Sequence, residues 1–175
     1  MNHKVNKLVY ASVFLALALA LPFLTGQIPQ IGAMLTPMHV PVLLCGFLCG
    51  WQWGMAVGFL APLLRSVLFG MPVMFPMAVC MAFELATYAV VSGVLYRLLP
   101  QKRRFLYVSL VLAMIAGRLV WGIACFLCAG FDVNAFGLSA FWSGAIAMSV
   151  PGIVLQLLII PVLVMAAEKY ISLKL

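Results

Sequence analysis

The chain has 175 residues, of which 67% are hydrophobic and only 7% charged. A soluble domain carries about 25% charged residues, so this composition excludes a water-covered globule and points to an integral membrane protein. The net charge of +7 is not a nucleic-acid signal, because the basic residues flank apolar runs and form no soluble patch.

The apolar runs are long and continuous. Barrel strands would alternate over segments of about ten residues, so helices are expected. Asn2 to Lys7 is a short basic start, and the run from Leu8 to Leu24 follows it. That run ends in Pro22-Phe-Leu-Thr-Gly26-Gln27-Ile-Pro29 without a small-residue cleavage site, so it reads as a retained first helix over 8–24. Ser12, Ala16 and Ala20 stand four apart on it and form a small-residue stripe. Such a stripe lets another helix approach closely. Spacing alone fits packing on the chain's own bundle and docking of a partner equally well.

The second and third helices are expected over 38–51 and 54–69, with Trp51-Gln52-Trp53-Gly54 as the turn between them. One continuous helix from Met38 to Phe69 would be roughly 48 Å long, too long for a hydrocarbon core of about 30 Å. Gly46, Gly50, Gly54 and Gly58 repeat every four residues here and permit close backbone approach. The fourth, fifth and sixth helices are expected over 76–99, 105–129 and 141–167. Pro and Gly punctuate the three connectors Thr25–Pro37, Gly70–Phe75 and Gly130–Ala140. The expected fold is an all-α bundle of six transmembrane helices in a single membrane domain spanning residues 1–175.

Lysine and arginine placement orients it. Lys4 and Lys7 precede the first helix, Arg97, Lys102, Arg103 and Arg104 surround the connector between the fourth and fifth, and Lys169 and Lys174 follow the sixth. With six helices all three places fall on one side, which the positive-inside rule makes the cytoplasm. Both termini are then cytoplasmic, and the protein is a multi-pass component of the cell membrane.

The remaining basic residues, Arg65 and Arg118, lie deep in apolar stretches, as does Glu84. A charge in hydrocarbon costs a few kcal/mol at least and usually faces a cavity or partner. Arg65 is near the outer end of the third helix, Glu84 roughly 12 Å below the start of the fourth, and Arg118 roughly 16 Å from the outer end of the fifth. All three fall in the outer half, where they fit around one outward-opening pocket. Their local balance of about +1 suggests a small anion, and an arginine fork suits a carboxylate. As a structural alternative, Glu84 pairs with Arg65 or Arg118, but one carboxylate does not neutralise two guanidiniums. His39, Tyr88, Trp121, Asn134, Trp142 and Gln156 fall at compatible depth. Each has an ordinary role beside a binding one: an interfacial position for His39, packing or interface anchoring for the aromatic residues.

Five cysteines lie within apolar runs: Cys45, Cys49, Cys80, Cys125 and Cys128. Cys125-Phe-Leu-Cys128 has the spacing of a metal or redox pair, but it has no second pair nearby and reads as packing. The chain has no phosphate-binding Gly-x-x-x-x-Gly-Lys-Ser/Thr loop, no His-Glu-x-x-His and no Gly-x-Ser-x-Gly elbow. With three acidic residues in all, a multi-carboxylate metal site and a proton-coupling carboxylate chain are both poor readings. No enzyme activity, metal or cofactor is expected in this chain, and energy for moving a solute would come from another subunit.

Three local segments carry a resemblance: Pro37-Met-His-Val-Pro41-Val-Leu-Leu-Cys-Gly46, Pro62-Leu-Leu-Arg65-Ser66, and Gly70-Met-Pro-Val-Met-Phe-Pro76 leading to Glu84-Leu-Ala-Thr-Tyr88. With the six-helix size and the stripe in the first helix, the chain resembles the substrate-binding membrane component, or S component, of energy-coupling factor (ECF) vitamin transporters. The resemblance implies high-affinity capture of a vitamin from outside, then association with a membrane coupling subunit and two cytoplasmic ATPases. It implies an Ala-x-x-x-Ala contact with the coupling subunit, matched by Ala16 and Ala20 and extended by Ser12. It implies a site built from the outer parts of the fourth, fifth and sixth helices and adjoining loops, where Glu84, Tyr88, Arg118 and Gln156 fall. Arg65, on the third helix, is less typical. With the charge balance, nicotinate or pantothenate leads as substrate, ahead of riboflavin, pyridoxine-type and folate-type ligands. A non-transport membrane scaffold is the alternative class.

Overall fold

A computed structural model describes residues 3–25, 35–100, 102–130, 142–143 and 149–170. These residues are helical almost throughout, and no strand occurs among them. We number the helices α1 (His3–Ala20), α2 (His39–Cys49), α3 (Trp51–Phe69), α4 (Val79–Leu98), α5 (Arg103–Cys128) and α6 (Val150–Tyr170). A 3-10 turn, Leu21–Thr25, extends α1, and an irregular turn, Met74–Ala78, leads into α4. Five spans are long and apolar enough to cross a membrane: Val5–Leu24, Trp51–Phe69, Met74–Leu98, Arg103–Cys128 and Val150–Ala167.

The exception is α2, with 11 residues. At about 1.5 Å per residue it covers roughly 16 Å, half a bilayer core. Its surroundings explain how so short a helix is accommodated. Every residue from His39 to Cys49 except Val40 is buried, and α1, α3, α4 and α6 all pack on it. Protein, not lipid, solvates this helix, so it need not match the membrane thickness.

The link from α2 to α3 is tighter than expected. The turn is Gly50 alone, at φ 96° and ψ 164°, a conformation cheap only for glycine. Trp51-Gln52-Trp53-Gly54 is therefore not a connector but the first turn of α3, and the Gly54 N–H donates to the Gly50 carbonyl at 3.0 Å. The four-residue glycine series thus has two uses. Gly50 turns the chain, while Gly46, Gly54 and Gly58 bring backbones together. A Cβ on Gly54 would lie 2.7 Å from the Gly46 Cα, and one on Gly58 would lie 2.6 Å from the Leu85 carbonyl oxygen. At α3 the buried positions Gly54, Val57, Gly58, Ala61, Pro62, Arg65 and Ser66 follow the i, i+3, i+4 spacing of one helix face.

α4 and α5 form a hairpin, joined through the short connector after Leu98 and packed along their lengths. α6 begins with Val150-Pro151. Proline suits a first turn, where its missing N–H has no helical partner to lose. The expected sixth helix reached back to residue 141, and most of 141–149 lies outside the described residues.

On α1, Ala11 and Ala18 face the bundle and are buried, whereas Ser12, Ala16 and Ala20 are exposed. The Ser12 hydroxyl donates to the Leu8 carbonyl in its own helix at 2.9 Å. The stripe is therefore directed away from the chain's own bundle.

Candidate functional site

Glu84 lies one turn inside α4, and Tyr88 follows on the same face four residues later. The Tyr88 hydroxyl donates to Glu84 Oε1 at 3.0 Å. From α5, Arg118 Nη1 reaches the same oxygen at 3.0 Å. From the first residue of α2, His39 Nε2 stands 3.6 Å from it, too far for a hydrogen bond. Three helices thus converge on one carboxylate oxygen. The Glu84 side chain is 2% exposed and that of Arg118 15%, so Arg118 is the more exposed member of the pair. A buried carboxylate is tolerable only when paired and hydrogen-bonded, and here Arg118 and Tyr88 meet that need.

The packing beneath these groups is specific. A side chain at Gly117 would overlap the Tyr88 ring. The ring therefore occupies a slot in α5 beside Arg118, which places both partners of Glu84 with one contact. The His39 ring is tilted by 59° to the Tyr88 ring, with centroids 5.3 Å apart. His39 is 1% exposed, so its ring is enclosed by protein at the start of α2.

Three polar atoms of this cluster have no hydrogen-bond partner among the described residues: Arg118 Nε and both ring nitrogens of His39. Such buried groups cost about 1–3 kcal/mol each when left unmade, and native sites leave them so for a reason. Arg118 Nε donates, while a neutral imidazole offers one donor and one acceptor.

Gln156, on α6, is also buried, and its Nε2 donates to Thr36 Oγ1 at 2.7 Å. The Thr36 carbonyl accepts the His39 N–H at 3.0 Å. Gln156 therefore joins the site at one remove, by holding the turn that presents His39. Thr36 itself has φ 43°, a conformation in which a β-branched residue is strained. Thr36 and Gly117 were not among the residues singled out by sequence. For Gly117 the signal exists, since a mid-helix glycine costs about 1 kcal/mol relative to alanine and needs a packing reason.

Arg65 does not join the cluster. Its Nη1 donates to the Leu19 carbonyl at 2.8 Å, and its guanidinium lies 5.1 Å from the Phe23 ring centroid and 5.6 Å from that of Phe69. The last carbonyls of a helix lack intrahelical partners and carry partial negative charge. Arg65 is thus met at the end of α1 by a carbonyl and two aromatic faces, with no carboxylate partner among the described residues. This corrects the expected three-charge pocket: Glu84 and Arg118 form a pair of balanced formal charge, and the +1 contributed by Arg65 lies elsewhere.

Trp121 is buried one turn beyond Arg118 and packs with Cys80, Cys125 and Cys128. Trp142 is exposed. Asn134 lies outside the described residues.

The protein-family model for the substrate-specific component of ECF transporters matches residues 6–164. No curated protein and no solved structure matches the chain. The family match takes in the exposed stripe of α1, the buried cluster and most of α6, and on that span the chain belongs to the family of ECF transporter substrate-specific components.

Proposed function

We propose that this S component captures a small, carboxylate-bearing B-vitamin or related micronutrient for uptake, at a site whose inner wall is His39, Glu84, Tyr88 and Arg118. The supporting observation is the set of polar atoms left without partners: Arg118 Nε and the His39 ring nitrogens. A ligand carboxylate or carbonyl entering along Arg118 would accept from Arg118 Nε and from the His39 nitrogen that carries the proton, leaving Glu84 to hold Arg118 in orientation. Nicotinate or pantothenate leads; riboflavin, pyridoxine-type and folate-type ligands follow. With Arg65 assigned elsewhere, the preference for an anion rests on unused donors rather than on surplus charge. Thr36 and Gln156 support the His39 turn, and Arg65 acts as a structural residue.

The chain is further read as one membrane domain of six crossings, with both termini on the cytoplasmic side of a bacterial plasma membrane. The exposed Ser12, Ala16 and Ala20 stripe is read as the docking face for a membrane coupling subunit that works with two ATPases. Bulky side chains there would remove the close approach that small residues allow. Affinity purification from the native membrane, with mass spectrometry of both small molecules and proteins, tests this function. The expected result is a stoichiometric micronutrient with the wild type, together with ATPase subunits that the Ala16→Trp, Ala20→Trp double variant loses while retaining the micronutrient. Loss of neither ATPase nor ligand would contradict the docking assignment, and absence of any bound or bindable micronutrient would contradict the capture assignment.

A further inference from the structure

The three thiols at the open end of the α4–α5 hairpin are not used by the binding site. Cys80 lies in the first turn of α4 and is fully buried, Cys128 is the last residue of α5 and is half-buried, and their sulfurs are 3.9 Å apart. Cys125, one turn earlier on α5, and Trp121 pack in the same cluster. The two helices are already joined at their other ends, through the connector between Leu98 and Arg103. Between the connector and the thiols lie Glu84 and Tyr88 on one helix and Gly117 and Arg118 on the other.

We propose that Cys80 and Cys128 form a reversible disulfide that closes this hairpin into a covalent ring around the Glu84–Arg118 pair. The sulfurs are 3.9 Å apart, about 2 Å beyond the length of a disulfide bond, and rotation of the two side chains is the movement the proposal requires. Cys128 is the entry point, because it is accessible at a helix end. As a thiolate it attacks one sulfur of a disulfide oxidant and forms a mixed disulfide, releasing one thiolate. Cys80 then attacks the Cys128 sulfur and releases the second. The two protons lost by the cysteines are taken up by the two leaving thiolates. The protein is oxidised by two electrons and the oxidant is reduced to two thiols. Cys45 and Cys49 share α2, are buried among apolar neighbours, and serve as controls.

The test is disulfide mapping on the purified full chain. Folded protein is treated with dipyridyl disulfide, freed of reagent, unfolded, alkylated and digested with trypsin. Cys80 falls in the segment between Arg65 and Arg97, and Cys128 in the segment between Arg118 and Lys169. The expected result is an intramolecular cross-link between these segments in most chains, at least a tenfold drop in alkylation of Cys80 and Cys128, and full alkylation of Cys45 and Cys49. The link persists in Cys125→Ser, disappears in Cys128→Ser and is reversed by dithiothreitol. Undiminished alkylation of Cys80, or a link from Cys80 to Cys125 in the wild type, overturns the proposal. If Cys128→Ser does not fold, fragment sequencing of the wild-type cross-link decides, because it separates Cys125 from Cys128 within their shared tryptic segment. Ligand binding is not read in this experiment, so its outcome is separate from that of the proposed transport role.

Discussion

Arg65 and Arg118 show how differently two buried guanidiniums are stabilised in one bundle. Arg118 meets a carboxylate whose next basic neighbour among the described residues, His39, stands 3.6 Å away. Removing one member of a buried pair leaves the other charge uncompensated, at a cost of about 3–5 kcal/mol. Arg118→Ala is therefore expected to lower thermal stability strongly in detergent. Adding Glu84→Gln should recover part of the loss, since the stranded charge is gone. Additive destabilisation in this double-mutant cycle would contradict a direct pair. Arg65 meets the Leu19 carbonyl and two aromatic faces instead. Arg65→Ala should lower the melting temperature through loss of these contacts while leaving ligand Kd within about twofold. A tenfold weaker Kd in folded Arg65→Ala protein would return Arg65 to the site. The sequence marked both arginines as unusual, because charge in an apolar run is legible without a structure. It did not separate their roles, since partners such as the Leu19 carbonyl are backbone atoms that no residue type advertises.

At the scale of helices, glycine positions decide which faces meet. Gly46, Gly54 and Gly58 let α2, α3 and α4 pack close together, which leaves α2 central and carries His39 inward. Gly117 performs the corresponding task between α4 and α5, where its missing side chain accommodates the Tyr88 ring. Gly117→Ala is expected to displace that ring at an overpacking cost of about 1–3 kcal/mol. It should weaken ligand binding by at least tenfold, with the helical circular dichroism unchanged. Wild-type affinity in this variant would show that Tyr88 and Arg118 keep their places without the slot. The four-residue glycine repeat was readable in the sequence, but its division into a turn at Gly50 and contacts at the other three was not. Periodicity reports which residues share a face, whereas the turn depends on one backbone dihedral. The Trp51–Gly54 expectation failed for that reason: aromatic and polar residues interrupt the apolar run there, yet they sit well inside a helical first turn.

For the whole molecule, composition and the length of the apolar runs carry the all-helical architecture. Long apolar runs predict spans, and five of the six expected helices are long enough to cross a membrane. α2 is the exception, and its shortness is intelligible only once its burial on all sides is known. Rise per residue converts sequence position into height along a helix, which is how the sequence groups Arg65, Glu84 and Arg118 with His39, Tyr88, Trp121, Asn134, Trp142 and Gln156. Lateral position has no such conversion, so the sequence groups Arg65 with Glu84 and Arg118, whereas its guanidinium meets the end of α1. Gln156 shows the intermediate case. A lone amide in an apolar run requires a partner, but the Thr36 hydroxyl that accepts its hydrogen bond is 120 residues away in sequence.

The central claim, that the buried cluster receives the substrate through Arg118, is tested most directly by equilibrium titration of the purified protein with a vitamin panel, comparing wild type with the folded Glu84→Gln, Arg118→Ala variant. The predicted result is tight binding of a carboxylate-bearing vitamin by the wild type and a loss of about 30-fold or more in the variant, equivalent to at least about 2 kcal/mol for a desolvated charged contact. Unchanged affinity in the variant, or tight binding of a cationic ligand such as thiamine with no binding of carboxylates, would contradict it.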